Sequence, residues 1–439
     1  MQKKLVLVVV DGMTPAAFER AVESGRAPAL AFLAEHGDYR KATSVFPSLT
    51  PVCLTSIATG AGPGVHHIPS LVWWDRQERR IVEYGSSFAA LRAAGLSQSL
   101  VDTIFNMNER HLSRDAFTVY EALEDAGLVA GAVNITCYRG RHRYLPTVPG
   151  LHRAVHGPRR FFFYGLFESD RTGAPFAVRS RRAGSVDAYA SAVGRWLVTR
   201  DGFDFLVYYL SGYDFASHAA GPHGEAAERA LEQADAAIRV LLDAAGGPDQ
   251  FLERYAVVLL SDHGQTPVEH AVRLEEKFAD LEGQVAVTAS NRAGQVYLLP
   301  GARIDAAELS RRLDGFPAVD VTLRREGEEI VARRDGADGP VEKLEHPDVA
   351  WRARSALANP NAGELLVSAA EGWELTDLGG RHHAGGGSHG SLVAGDSFVP
   401  VVTVGLKAEL HRITDVAPAV LAHFGVAVPE SMEALAGVG

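Results

Sequence analysis

At 439 residues, 46% hydrophobic and 22% charged, the chain has the balance of an ordinary globular protein and is too long for one small core. A formal charge of −11, from 43 basic and 54 acidic residues, excludes general affinity for nucleic acid, whose phosphate backbone demands a basic footprint. Cys53 and Cys137 are too few for a disulfide framework or a thiolate metal site. No apolar stretch approaches the roughly 20 residues that cross a bilayer, so a cytoplasmic location is expected.

The first apolar run, 5–10, stops at Asp11 without a small-residue cleavage site and reads as a buried strand, not a signal peptide. Thr14-Pro15 caps a helix that ends near Gly25. Phe46-Pro47-Ser48-Leu49-Thr50 reads as a loop entering a helix, where a hydroxyl sits among unpaired N–H groups able to hold a phosphoryl oxygen. A serine or threonine at such a position is most often only a helix cap, so Thr50 taken alone carries little. Helices 116–126, 186–197 and 224–245 alternate with apolar runs 129–133, 205–210 and 256–260. These runs lack strict alternation, as strands covered on both faces do. The fold class expected is therefore α/β, a mostly parallel central sheet with helices on both faces.

Between about 275 and 343 the texture changes to strands 285–290, 295–299, 319–324 and 329–334 around a helix at 306–313. That pattern predicts a small α+β insertion (275–343) in a main domain of 1–274 and 344–439. Residues 335–340 read as its turn-rich exit, and 363–368 as the return to the main sheet.

Three predicted strands run into aspartates: Asp11, Asp214 and Asp262. In an open parallel sheet the carboxyl ends of the strands form the ligand crevice, so these acids can converge there. His263 follows Asp262, His218 lies four residues after Asp214, and His389 stands in Gly387-Ser388-His389-Gly390. Any one of these residues is explained as a cap or a hydrogen-bonded core group; together they form a carboxylate and imidazole set suited to divalent metal. Residues 137–144, with Arg139 and Arg141, form a basic and aromatic cluster able to hold an anionic group, with a solvated loop as the plain alternative. The aromatic run 161–164 and Trp73-Trp74 suit either a pocket wall or core.

With these residues assembled, the chain resembles the alkaline phosphatase superfamily, in particular its nucleotide pyrophosphatase/phosphodiesterase branch. The resemblance rests on the Val-Asp-Gly start at Asp11, Phe-Pro-Ser-Leu-Thr ending in Thr50, and Thr59-Gly60 followed by His67-Ile68. It continues through Asp214-x-x-x-His218 with Gly221-Pro222, Ser261-Asp262-His263-Gly264 and the His389 motif. It implies an alkaline-phosphatase-like fold and two divalent ions, one held by Asp11, Thr50, Asp262 and His263, the other by Asp214, His218 and His389. The mixed oxygen and nitrogen donors favour Zn²⁺, with Mn²⁺ as the alternative. It also implies that Thr50 attacks phosphorus to give a phosphothreonine that water then hydrolyses.

Two places beside Thr50 depart from the family pattern, which has an aromatic residue directly after the nucleophile and an asparagine two positions beyond that. Here they hold Pro51 and Cys53. Substrate contacts are accordingly expected from Cys53, Asn134, Arg139 and Arg141, with Asn106 as another donor able to replace the asparagine. The function expected is a phosphodiesterase or nucleotide pyrophosphatase acting on a small phosphate ester. A phosphomonoesterase or phosphonate hydrolase is the alternative within the superfamily, and a non-catalytic metal-binding protein the alternative of another class. The Cys-x-Pro-x-Arg context of sulfatases is absent after Cys53, and a mutase of the superfamily would use serine.

Overall fold

The computed structural model describes residues 2–148, 150–170 and 183–433. Strand Lys4–Val10 is buried because its alternate residues feed two cores: Leu5, Leu7 and Val9 face one, Val6, Val8 and Val10 the other. That double burial produces the unbroken apolar run in the sequence. Phe205–Leu210 and Tyr255–Leu260 flank this strand, both parallel to it, with Val10 opposite Leu210 and Val9 opposite Leu260. The carboxyl ends of all three are therefore level, and the residues after them share one edge.

Ala130–Val133 and Arg160–Phe163 extend the parallel set. Phe398–Val404 and Phe167–Glu168 run antiparallel to this set, and Asp38–Thr43, paired antiparallel with Phe398–Val404, runs with it again, giving eight strands among the described residues. Helices Pro15–Glu23, Pro28–Glu35, Ala183–Thr199 and Glu225–Asp243 cover one face through Phe18, Leu33, Val193 and Leu231. Thr50–Thr59, Val119–Asp125 and Val416–His423 cover the other through Ile57, Leu123 and Val420. The chain thus forms the mostly parallel α/β sheet expected of it.

A second sheet of six strands is antiparallel throughout, in the order Val285–Ser290, Ala293–Leu298, Leu365–Ala369, Val319–Glu326, Glu329–Arg334, Ala337–Pro340. Two expectations are corrected here. Residues 363–368 do not rejoin the main sheet: Leu365–Ala369 is a central strand of the second sheet, and Phe398–Val404 makes the return. Both kinds of strand are covered on both faces, so both show an unbroken apolar run. Residues 335–340 are not all turn. Asp335 and Gly336, with φ of 52° and 76°, make the tight hairpin turn, and Ala337–Pro340 pairs back as an edge strand. Among the described residues no helix is long and apolar enough to cross a membrane.

Candidate metal centre

Asp11 directly follows the central strand, and Gly12 turns the chain away at a φ of 68°. A Cβ on Gly12 would lie 2.8 Å from Asp214 Oδ1, so only glycine lets the two acids approach. Asp262 lies just past Tyr255–Leu260, and one of its oxygens accepts the Gly12 N–H at 3.2 Å. Asp214 and His218 sit one turn apart in the helix Gly212–Ala220, and share a face for that reason. His389 comes from the loop after the short strand Gly387–Ser388.

The six side chains fall into two groups, Asp11 with Asp262 and His263, and Asp214 with His218 and His389. Within each group the potential ligand atoms lie within 4.8 Å of one another. His263 Nε2 is 3.3 Å from Asp11 and 3.5 Å from Asp262, while His218 Nε2 is 3.3 Å from Asp214. The rings of His263 and His389 stack at 3.6 Å and join the groups.

Each histidine turns Nδ1 to a backbone carbonyl: His218 to Gly387 at 2.8 Å, His263 to Gly264 at 3.0 Å, His389 to Ser48 at 2.8 Å. A carbonyl only accepts, so Nδ1 carries the proton and Nε2 offers its lone pair, the tautomer a metal requires. Asp11 Oδ1 and Asp262 Oδ2 are buried without a hydrogen-bond partner. Such orphaned acceptors are costly unless a cation meets them. The residues present therefore fit divalent ions.

The electrostatics agree. Burial and the charge of Asp214 raise the Asp11 carboxyl above its ordinary value, and burial with the charge of Asp11 raises Asp262 well above its own. Burial works against His263, yet Asp262 and Asp11 outweigh it and lift the imidazole to about 10. Burial also opposes ionisation of Asp214, and the neighbouring His218 overcomes it and lowers that carboxyl. Crowded acids of this kind demand positive charge.

Thr50 opens its helix, with Oγ1 3.1 Å from His263 Nε2. It lies at the floor of a cleft of about 460 Å³, lined also by Asp11, Asp214, His218 and His389.

Residues 5–392 match the family described as type I phosphodiesterase / nucleotide pyrophosphatase. The chain belongs to this family. As a member of this family, within the alkaline phosphatase superfamily, it is a metal-dependent hydrolase of phosphoric esters. No curated protein matches the sequence. Among solved structures, phosphonoacetate hydrolase from Sinorhizobium meliloti 1021, in complexes with phosphonoformate and with phosphonoacetate, is 20% identical with a TM-score of 0.67 over 96% of each chain. Murine ectonucleotide pyrophosphatase / phosphodiesterase 5 is 14% identical, with a TM-score of 0.65 over 97% of this chain and 96% of that one. At such identities the likeness is one of fold.

Within this cleft the four expected substrate contacts are missing from the lining. Cys53 is fully buried, with Sγ 3.2 Å from Ser44 Oγ, and Ser44 in turn donates to the Asp262 carbonyl at 2.6 Å. Cys53 packs into the core formed with Leu5, Leu7 and Val9 of the main sheet. Arg139 is buried and donates to the Ser113 carbonyl and to Glu121. Arg141 is spent on Glu121 and Asp125. Asn134 is buried and accepts the Tyr164 N–H at 2.9 Å, and Asn106 is tied to Asp102 and Arg153. Phe161, Phe162, Phe163 and Trp73 are core, whereas Tyr164 lines the cleft.

Sequence reasoning missed several site residues. Gln265 donates to Asp214 Oδ1 at 2.9 Å, Tyr209 donates to Asp11, and Asn291 Nδ2 lies 3.1 Å from His389 Nε2. The ring of His383 lies tilted against that of His218, with centroids 4.0 Å apart, and is held by buried Glu374 at 2.7 Å. Gln265 was detectable from its place beside Asp262-His263-Gly264. Tyr209 emerges only from the strand register, which sets it opposite Val9.

Proposed function

We propose that the chain is a two-metal phosphodiesterase in which Thr50 is the nucleophile and a phosphothreonine the intermediate. One ion is held by Asp11, Thr50, Asp262 and His263, the other by Asp214, His218 and His389. The observation that carries the reading is the placement of Thr50 Oγ1 against His263, at the junction of two compact acid and histidine groups with orphaned carboxylate oxygens. Two carboxylates and an imidazole in one group, one carboxylate and two imidazoles in the other, favour Zn²⁺, with Mn²⁺ second. When bound, divalent ions there lower the pKa of a coordinated hydroxyl and offset charge on the phosphoryl and leaving oxygens.

The chain's own residues do the rest. Thr50 Oγ forms a bond to phosphorus while the bond to the leaving alcohol breaks, and water then cleaves the phosphothreonine and restores the hydroxyl. Pro51 has no N–H, and those of Val52 and Cys53 are given to the Leu49 carbonyl at 2.9 and 3.0 Å, so the set of unpaired N–H groups expected at this helix start reduces to that of Thr50, which suits a single phosphoryl oxygen. No protein base is needed for the nucleophile, whose nearest side-chain nitrogen, His263 Nε2, belongs to the ligand set.

Thr50→Ala is expected to lower kcat at least about a thousandfold on a chromogenic phosphodiester, with an unchanged circular dichroism spectrum. Undiminished hydrolysis by that variant refutes the nucleophile. Chelation should abolish activity, and Zn²⁺ or Mn²⁺ should restore it.

A further inference from the structure

We propose that the substrate is a phosphodiester monoanion whose retained group is uncharged and apolar, an aryl or alkyl group lying against the cleft wall. This rests on the phosphodiesterase reading above and names the substrate class of that same site. The wall beyond Thr50 is built from Leu71, Tyr84, Met107, Tyr164, Val186 and Phe215. The Tyr84 hydroxyl is taken by His111 at 2.7 Å, so that residue offers its ring and not its polar tip. Among the described residues, no lysine or arginine lines the cleft. The two arginines nearest to it in sequence expectation, Arg139 and Arg141, are held by acids elsewhere. A carboxylate or a second phosphate on the substrate therefore has no described cationic side chain to meet it.

Two rings at the mouth carry the argument further. Phe215 directly follows the ligand Asp214 and is 65% exposed, a large apolar side chain left in water beside the reacting atoms. Tyr164 is 39% exposed and holds a φ of 47°, a conformation that a bulky residue adopts only when its surroundings impose it. The imposition is visible: Asn134, itself at a φ of 60°, takes the Tyr164 N–H on its side-chain oxygen at 2.9 Å. Asn134 thus acts as a positioning residue that aims Tyr164 at the cleft. The volume of about 460 Å³ suits a group of one or two rings together with the phosphoryl centre.

The test uses two readouts on the Zn²⁺-loaded protein. In turnover, phenyl 4-nitrophenyl phosphate and methyl 4-nitrophenyl phosphate share a leaving group and differ only in the retained one. The phenyl ester should be preferred roughly tenfold in kcat/KM, and Phe215→Ala and Tyr164→Ala should each cut that ratio several-fold. In binding, Thr50→Ala should take up diphenyl phosphate more tightly than dimethyl phosphate, AMP or phosphonoacetate by calorimetry, with a negative heat-capacity change. Equal or tighter binding of AMP or phosphonoacetate, or an unchanged ester ratio in both ring variants, overturns the inference while leaving phosphodiester hydrolysis intact. Selective binding of diphenyl phosphate without turnover of either ester supports the inference and overturns the catalytic reading instead.

Discussion

Asp214 owes its position to more than its place in a ligand group. Its Oδ1 accepts from Gln265 at 2.9 Å, and its Oδ2 lies 3.3 Å from His218. Gln265 is buried, so its amide is held in place and fixes the rotamer of the acid. Gln265→Leu removes that donor with little change in volume. It is expected to weaken the ion held by Asp214, His218 and His389 by roughly 10- to 100-fold and to spare the Asp11 group. Metal stoichiometry under graded chelator checks this, and equal loss from both groups would argue for general loosening. The ligands themselves were legible because each stands at a strand end or in a short glycine-bearing motif. Their supports were not: Tyr209 approaches Asp11 through the strand register, and Asn291 reaches His389 from the hairpin turn of the second sheet, contacts that neither residue's sequence neighbours announce.

The helix Thr50–Thr59 is buried at every residue after Thr50, so whatever anchors it also anchors the nucleophile. One anchor is His66. Its Nδ1 accepts the Ile68 N–H at 3.1 Å, so the proton sits on Nε2, 3.0 Å from Ser56 Oγ in the helix. Burial, aided by His67, lowers the His66 imidazole to about 3 from an ordinary 6.5. The folded state thus resists a proton that the unfolded chain accepts. The stability this gives is complete above pH 6.5 and is lost as pH falls towards 3, by at most about 1.4 kcal/mol per pH unit. His66→Gln, which cannot titrate, should show a shallower fall in urea midpoint than the wild type over that window. Parallel profiles would assign the acid sensitivity elsewhere. The helix itself was readable from the loop before Thr50, but the inward turn of Cys53 was not. A helix buried on all sides has no polar stripe to report which residues face the site.

The two sheets of the molecule meet at the metal centre. Arg292, in the turn between Val285–Ser290 and Ala293–Leu298, is fully buried and donates to Asp396 Oδ1 at 2.9 Å and to the Ala370 carbonyl at 2.8 Å. Asp396 stands just before the main-sheet strand Phe398–Val404 and accepts the Ser391 N–H at 2.9 Å and its hydroxyl at 2.6 Å. The Arg292 N–H itself reaches the His389 carbonyl at 2.9 Å. The loop carrying His389 is therefore suspended between both sheets, and the smaller sheet takes part in the geometry of the site. Sequence periodicity marked the smaller sheet as a separate texture, yet placed 363–368 in the main one, since an apolar run reports double burial and not which sheet supplies it. Arg292→Met leaves Asp396 charged and unpaired in the core, at a cost of about 3–5 kcal/mol. Adding Asp396→Leu removes the stranded charge and should recover part of that stability. It also removes the acceptor that fixes Ser391, so the pair of changes should restore the urea midpoint further than it restores His389-dependent metal binding. If metal content and midpoint recover in step, the buried pair serves folding alone and the smaller sheet has no separate hold on the site.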